Sequence, residues 1–216
     1  MRLRMHHRLL LTCTAFCLAT SSVQAAEEAA WEDPTHPTPA VRRSGFTAGL
    51  SGGVSMGRAY GYPNEAEKID RREFLANTKF GLSSGTTLWL GGALTDWFTV
   101  GVGMLGTGVR GNGLVASGGA FVFHLETFPF FYSGKAGQNF GLLANFGAGS
   151  VVILRKEESK ANGGNMSCVG LGAFYEPLRF WRFSAGPSLE GTYMFSPSAR
   201  SLTMTAAMRL VFYGGP

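Results

Sequence analysis

The sequence predicts an all-β chain, an eight-stranded antiparallel up-and-down barrel that crosses a membrane, and three observations carry this prediction. Eight segments alternate bulky apolar with small residues, the period of two that a pleated strand imposes: 45–60, 86–94, 98–107, 114–125, 140–153, 166–175, 182–195 and 202–213. Within those 97 residues only Arg58, Arg182, Glu190 and Arg209 are ionised, whereas water-facing surfaces carry roughly 25–35% charged residues. Aromatic residues collect at the segment ends, where amphipathic rings favour the interface between headgroups and hydrocarbon.

Residues 1–25 read as a secretory signal. Arg2, Arg4 and Arg8 form a basic start, Leu9 to Ala19 a short apolar core, and Val23-Gln24-Ala25 a small-x-small cleavage site. Cleavage there removes Cys13, Cys17 and three of the 19 basic residues, leaving 16 basic against 14 acidic and a net charge of +2. The calculated pI near 9.3 therefore belongs partly to the signal, and no nucleic-acid partner is expected. Cys168 is left alone, so no intramolecular disulfide framework is available, and it reads as a small buried apolar residue. Residues 26–44 hold Glu27, Glu28, Glu32, Asp33, Pro34, Pro37 and Pro39 without apolar period, a composition that favours an extended, solvated periplasmic leader.

The segment 45–213 has no apolar run of the ~20 residues that a membrane helix needs. Its 169 residues divide into eight units of about 21, the length of a tilted membrane strand plus a connection. The hairpin built on Thr86–Leu94 and Trp97–Leu105 turns at Thr95-Asp96, and a second turn is expected at Gly108–Gly113. Bulky residues such as Phe46, Leu50, Val54 and Met56 are expected to face lipid, with Thr47, Gly49, Ser51 and Gly53 inward. Short connections at 95–96 and 176–178 alternate with long loops at 61–85 and 155–164, which are expected to be extracellular and to meet an unknown partner. Trp97, Phe98, Phe180 and Trp181, with Phe128, Phe130, Phe131 and Tyr132, then form a periplasmic aromatic girdle. Asn64 followed by Glu67 resembles a capping box, so 64–75 reads either as a solvated charged loop, the favoured reading because isolated short helices are marginal, or as a short surface helix. Pro187 inside a strand predicts a bulge.

The interior polar residues define the candidate site. His124 and Asn145 are expected to project into the lumen, with Glu126 on the face of His124. Placing the centre of the outer turn between Ser198 and Ala199 makes opposed residues sum to 397, so Glu190 and Arg209 become diagonal neighbours and are expected to form an ion pair. An arginine at Thr205, facing the lumen, is expected to be milder than one at Met208, facing lipid. No catalytic residue, metal ligand or cofactor is expected, since no nucleophile–base motif, ligand spacing or phosphate loop is present.

In its signal, its eight strands with alternating long and short connections, and its last strand ending in aromatics, the chain resembles the OmpA/OmpX-like class of small outer-membrane barrels over 45–213. The resemblance implies outer-membrane localisation in a Gram-negative envelope, outer-membrane lipid as surroundings, and a monomeric anchor, structural or surface-interaction protein rather than an enzyme. It also implies that a C-terminal insertion signal is read by the barrel-insertion machinery, a role that Met208, Leu210 and Phe212 match, although the chain continues to Pro216. Two other readings are a soluble lipocalin-like carrier of a small ligand and a lipid-modifying barrel enzyme.

Overall fold

The computed structural model describes residues 43–133, 137–156 and 158–215. The expected signal, and all but the last two residues of the leader, lie outside them. Eight long strands form the wall: β1 (Gly45–Gly61), β2 (Gly81–Thr95), β3 (Phe98–Gly111), β4 (Leu114–Thr127), β5 (Phe140–Arg155), β6 (Met166–Tyr175), β7 (Phe183–Phe195) and β8 (Ala199–Tyr213). Each pairs antiparallel with its neighbours in sequence, and β8 returns to pair with β1 from Thr47↔Tyr213 to Gly61↔Ala199. The sheet is therefore closed and has no free edge. Three short strands, Ala76–Asn77, Glu158–Asn162 and Leu178–Phe180, pair onto the wall at its ends.

Alternation decides which face is which. Phe46, Leu50, Leu90, Met104, Phe123 and Met208 are 50–66% exposed, while Thr47, Ser51, Thr87, Thr99, Thr192 and Thr203 are buried. A soluble monomer rarely exposes a contiguous apolar patch beyond a few hundred Å²; a band running round the whole wall is the surface that hydrocarbon covers. Among the described residues no helix is long and apolar enough to cross a membrane.

The lumen is bulkier than the small-residue expectation allows. Trp89 points inward and is 2% exposed. It fits because its register partners on either side are Gly49 and Gly103, and a Cβ added at Gly49 would fall within the Trp89 ring. Gly49→Ala should therefore destabilise the barrel by about 1–3 kcal/mol, read as a lower urea midpoint in lipid vesicles, with part of the loss recovered in Gly49→Ala/Trp89→Phe. An unchanged midpoint for the single variant would show that the indole has room to move.

Several local expectations are corrected or decided by the structure. The second turn is only Asn112-Gly113, both with positive φ, because β3 continues to Gly111. No helix forms over 64–75 beyond a three-residue 3₁₀ turn at Arg72–Phe74, without a side-chain cap. A short isolated helix is marginal; pairing of Ala76–Asn77 with β1 and the Thr78 hydroxyl on the Ala59 N–H (3.0 Å) hold the loop instead. The irregularity expected at Pro187 is present on one side only: the β7–β8 register runs unbroken through Gly186↔Arg209 and Pro187↔Met208, whereas on the other side the pairing shifts by one residue between Ala185↔Leu178 and Ser188↔Phe174. On its other side β7 pairs with Leu178–Phe180 up to Ala185 and with β6 only from Ser188, so Pro187 falls in the gap where no ladder partner is required.

The connection after β4 is long because it closes the mouth at the short-turn end of the barrel. Phe128 and Phe131, expected in the girdle, turn inward to pack with Leu143 and Phe174, leaving Phe130 and Tyr132 as the exposed aromatic residues of this segment. Arg43 lies above them with its guanidinium carbon 3.5 Å from the Phe128 ring centroid, and its Nη2 donates to the Gln138 carbonyl at 2.7 Å. At the outer end Leu105, Val109, Leu114, Val122, Ile153 and Met166 fill the lumen, with the Cys168 thiol among them. Both ends are sealed, and the polar interior lies between.

Candidate functional site: a buried charge column

Side chains from five strands, β2, β4, β5, β7 and β8, and from the segments before β1 and after β6 meet along the barrel axis. Starting at the plug of the short-turn end, Arg43 Nη2 is 3.8 Å from Glu176 Oε2. Arg209 Nη2 then bridges two carboxylates, at 3.0 Å to Glu176 Oε1 and 2.7 Å to Glu126 Oε1. His124 Nε2 lies 2.8 Å from Glu126 Oε1, and its Nδ1 lies 2.7 Å from Asn145 Oδ1. The Asn145 amide donates to Glu190 Oε1 at 2.6 Å, and the Thr87 and Thr192 hydroxyls complete the Glu190 shell at 3.5 Å. The Tyr213 hydroxyl donates to Glu176 at 3.1 Å. All of these side chains are buried.

Aromatic faces wall the column. Arg209 sits 3.6 Å from the Phe174 centroid and 5.0 Å from that of Trp89, and the Trp89 and His124 rings lie 4.7 Å apart. These π faces supply negative potential to cationic groups that water does not reach. Glycines make the room: Asn145 pairs in register with His124 on one side and Gly170 on the other, and Glu190 pairs with Gly172.

Charge and donor accounting constrain the protons. Three carboxylates (Glu126, Glu176, Glu190) face two guanidiniums (Arg43, Arg209), so the set is neutral when one further proton is held. The Asn145 amide links His124 to Glu190, and the donor and acceptor roles along this chain follow from the His124 tautomer and the Asn145 amide orientation. One further proton held here keeps a column of buried ions compensated.

The sequence-predicted residues are therefore brought together, but not in the predicted pairs. Glu190 and Arg209 both face inward and do not meet. Opposed residues of β7 and β8 sum to 395, because the turn centres on Pro197 and Ser198, so Glu190 faces Thr205 and Arg209 faces Gly186. The shift of two preserves the faces and separates the charges by four residues, about 13 Å of strand. Arg209 reaches across the lumen to Glu126 instead, and Glu190 binds Asn145. Glu176 and Arg43 escaped the sequence reading, one placed in a turn and the other in a leader; only Glu126, on the face of His124, gave a signal.

Of the girdle residues, Trp97, Phe180 and Trp181 are exposed at the short-turn end, and Phe98 is half-buried beside Trp97. Met208 and Leu210 project outward in β8, and Phe212 lies between the rings of Phe46 and Phe183.

No protein-family model and no curated protein matches the chain. Solved structures do. Neisserial surface protein A superposes with a TM-score of 0.51 at 7% identity, covering 80% of this chain and 99% of that one. Ail, the attachment invasion locus protein of Yersinia pestis, gives 0.46 at 13% identity over 78% and 99%, and the outer membrane protein OprG from Pseudomonas aeruginosa gives 0.42 at 12% over 81% and 99%. With its closed eight-stranded topology and its apolar outer belt, the chain has the fold of the small eight-stranded outer-membrane β-barrels.

Proposed function

We propose that this protein is a non-enzymatic outer-membrane anchor that does not conduct, and that it acts at the cell surface through its outer loops. The filled lumen carries the proposal. The space among the hydroxyls above Glu190 is about 10 Å³, lined by Ser51, Thr87, Thr107, Glu190 and Thr205, room for one water molecule. Neither an ion path nor a carried ligand fits there, which weighs against the soluble-carrier reading. His124 and Glu126 are each 1% exposed, so a general base made from them has no access to substrate.

Outside the barrel, a groove of about 540 Å³ opens between the loop 62–80 and the hairpin 155–160, lined by Glu73, Phe74, Leu75, Asn77, Arg155 and Lys160. This mixed polar and apolar surface is the part of the protein best shaped to meet an external partner. The loops are tied together, with the Tyr62 N–H on the Ser198 carbonyl at 2.8 Å and the Ser198 hydroxyl on the Asn162 carbonyl at 3.0 Å. They present a fixed shape.

Planar-bilayer recording of the refolded protein tests the closed lumen. The expected result is a flat current at protein densities where insertion is verified by heat-shifted gel mobility. Stable conductance steps would replace the anchor reading with that of a channel.

A further inference from the structure

The outward faces of the eight strands carry three ionised residues, Arg58, Arg110 and Arg200, and all three lie at the extracellular end. They occupy one arc, β8–β1–β2–β3; the outward faces of β4 to β7 carry none. Arg58 is opposite Leu202 and Arg200 is opposite Tyr60, which makes the two guanidiniums diagonal neighbours about 7–8 Å apart at the backbone. Like charges so placed repel. Among the described residues no carboxylate pairs with any of the three.

The level of this arc is fixed by its neighbours. Tyr60, Tyr193 and Phe195 surround the pair, with the Arg58 guanidinium 5.7 Å from the Tyr60 centroid. Such rings mark the headgroup boundary. Arg110 is opposite Leu82, which is opposite Met56, so Arg110 lies two strands and two residues from Arg58, about 12 Å away. Immediately below Arg110 the apolar belt stops. Ser84, Thr86, Gly106, Gly108, Ser117 and Gly119 make a shallow outward recess of hydroxyls and bare backbone, which suits a polyhydroxylated group better than acyl chains.

We propose that this arc is a binding site for a phosphorylated saccharide lipid of the outer leaflet. Its phosphates neutralise Arg58, Arg200 and Arg110, and its sugar lies in the Ser84–Gly119 recess. Guanidinium forks suit phosphate oxygens in charge-assisted pairs, and cations spread over about 12 Å suit a headgroup with more than one phosphate. The inference rests on the membrane-barrel reading and goes beyond it by naming the lipid class and the residues.

The test uses the full barrel and the Arg58→Gln/Arg110→Gln/Arg200→Gln variant, each refolded into three vesicles: phosphatidylcholine alone, phosphatidylcholine with lipid A, and phosphatidylcholine with phosphatidylglycerol at equal charge. After extraction into mild detergent, native mass spectrometry counts the retained lipid. Lipid A should be retained by the wild type and about tenfold less by the variant, the scale of losing charge-assisted contacts; phosphatidylglycerol should be retained weakly by both. Equal retention of lipid A by the two proteins would overturn the site, as would phosphatidylglycerol held as firmly as lipid A. Heat-shifted mobility in phosphatidylcholine alone separates the two ideas. A protein that does not fold there refutes the barrel, whereas one that folds and shows no lipid A preference refutes only this site.

Discussion

Replacing Arg209 with Met should cost about 3–5 kcal/mol of barrel stability, because it leaves two buried carboxylates without the cation between them. Arg209 Nη2 is within 3.0 Å of both Glu126 and Glu176. Arg43 is 3.8 Å from Glu176 and is held in place by Gln138 and the Phe128 ring, so it does not substitute at Glu126. The double variant Arg209→Met/Glu126→Gln removes one charge of each sign and should recover part of the loss. Urea unfolding from lipid vesicles measures all three proteins. A double variant no more stable than Arg209→Met would mean that the guanidinium acts through its packing on Phe174 and Trp89 rather than through its charge.

The wall of the barrel was legible in the sequence because its determinants are local. A period of two, carried by pairs such as Leu50–Ser51 and Met208–Arg209, assigns each residue a face, and closure follows from eight such runs with little charge on either side. The interior was legible only as far as faces reach. Glu190, Arg209, His124 and Asn145 all point inward, but which of them touch depends on where one turn is centred and on contacts across the lumen. The centre at Pro197-Ser198 moves Arg209 away from Glu190, and its partner Glu126 is 83 residues distant in sequence. No short-range pattern encodes that. Phe128 and Phe131 likewise read as girdle residues, since an aromatic at a strand end suits an interface or a plug equally; the fold of the connection across the mouth decides. Trp89 breaks the small-inside rule, and the compensating glycines, Gly49 and Gly103, become visible only when the register is known.

Met208→Arg should lower stability by about 2–4 kcal/mol, the depth-dependent cost of a guanidinium on the lipid face near the middle of the bilayer. Met208 is 58% exposed on the outer face of β8 and is flanked in register by Gly52 and Pro187, which offer no polar partner. The companion change reverses the expectation drawn from the sequence, where Thr205→Arg looked milder because it faces inward. Thr205 borders the cavity of about 10 Å³, and even a Cβ added at neighbouring Gly85 would come within 2.5 Å of its hydroxyl. An arginine there lies opposite Glu190 in register but has no volume to occupy. Overpacking then sets the cost. Thr205→Arg should be the less stable of the two proteins and should give the smaller heat-shifted fraction after refolding. If it folds as well as Met208→Arg or better, the lumen expands readily, and the tight packing inferred for the interior is wrong.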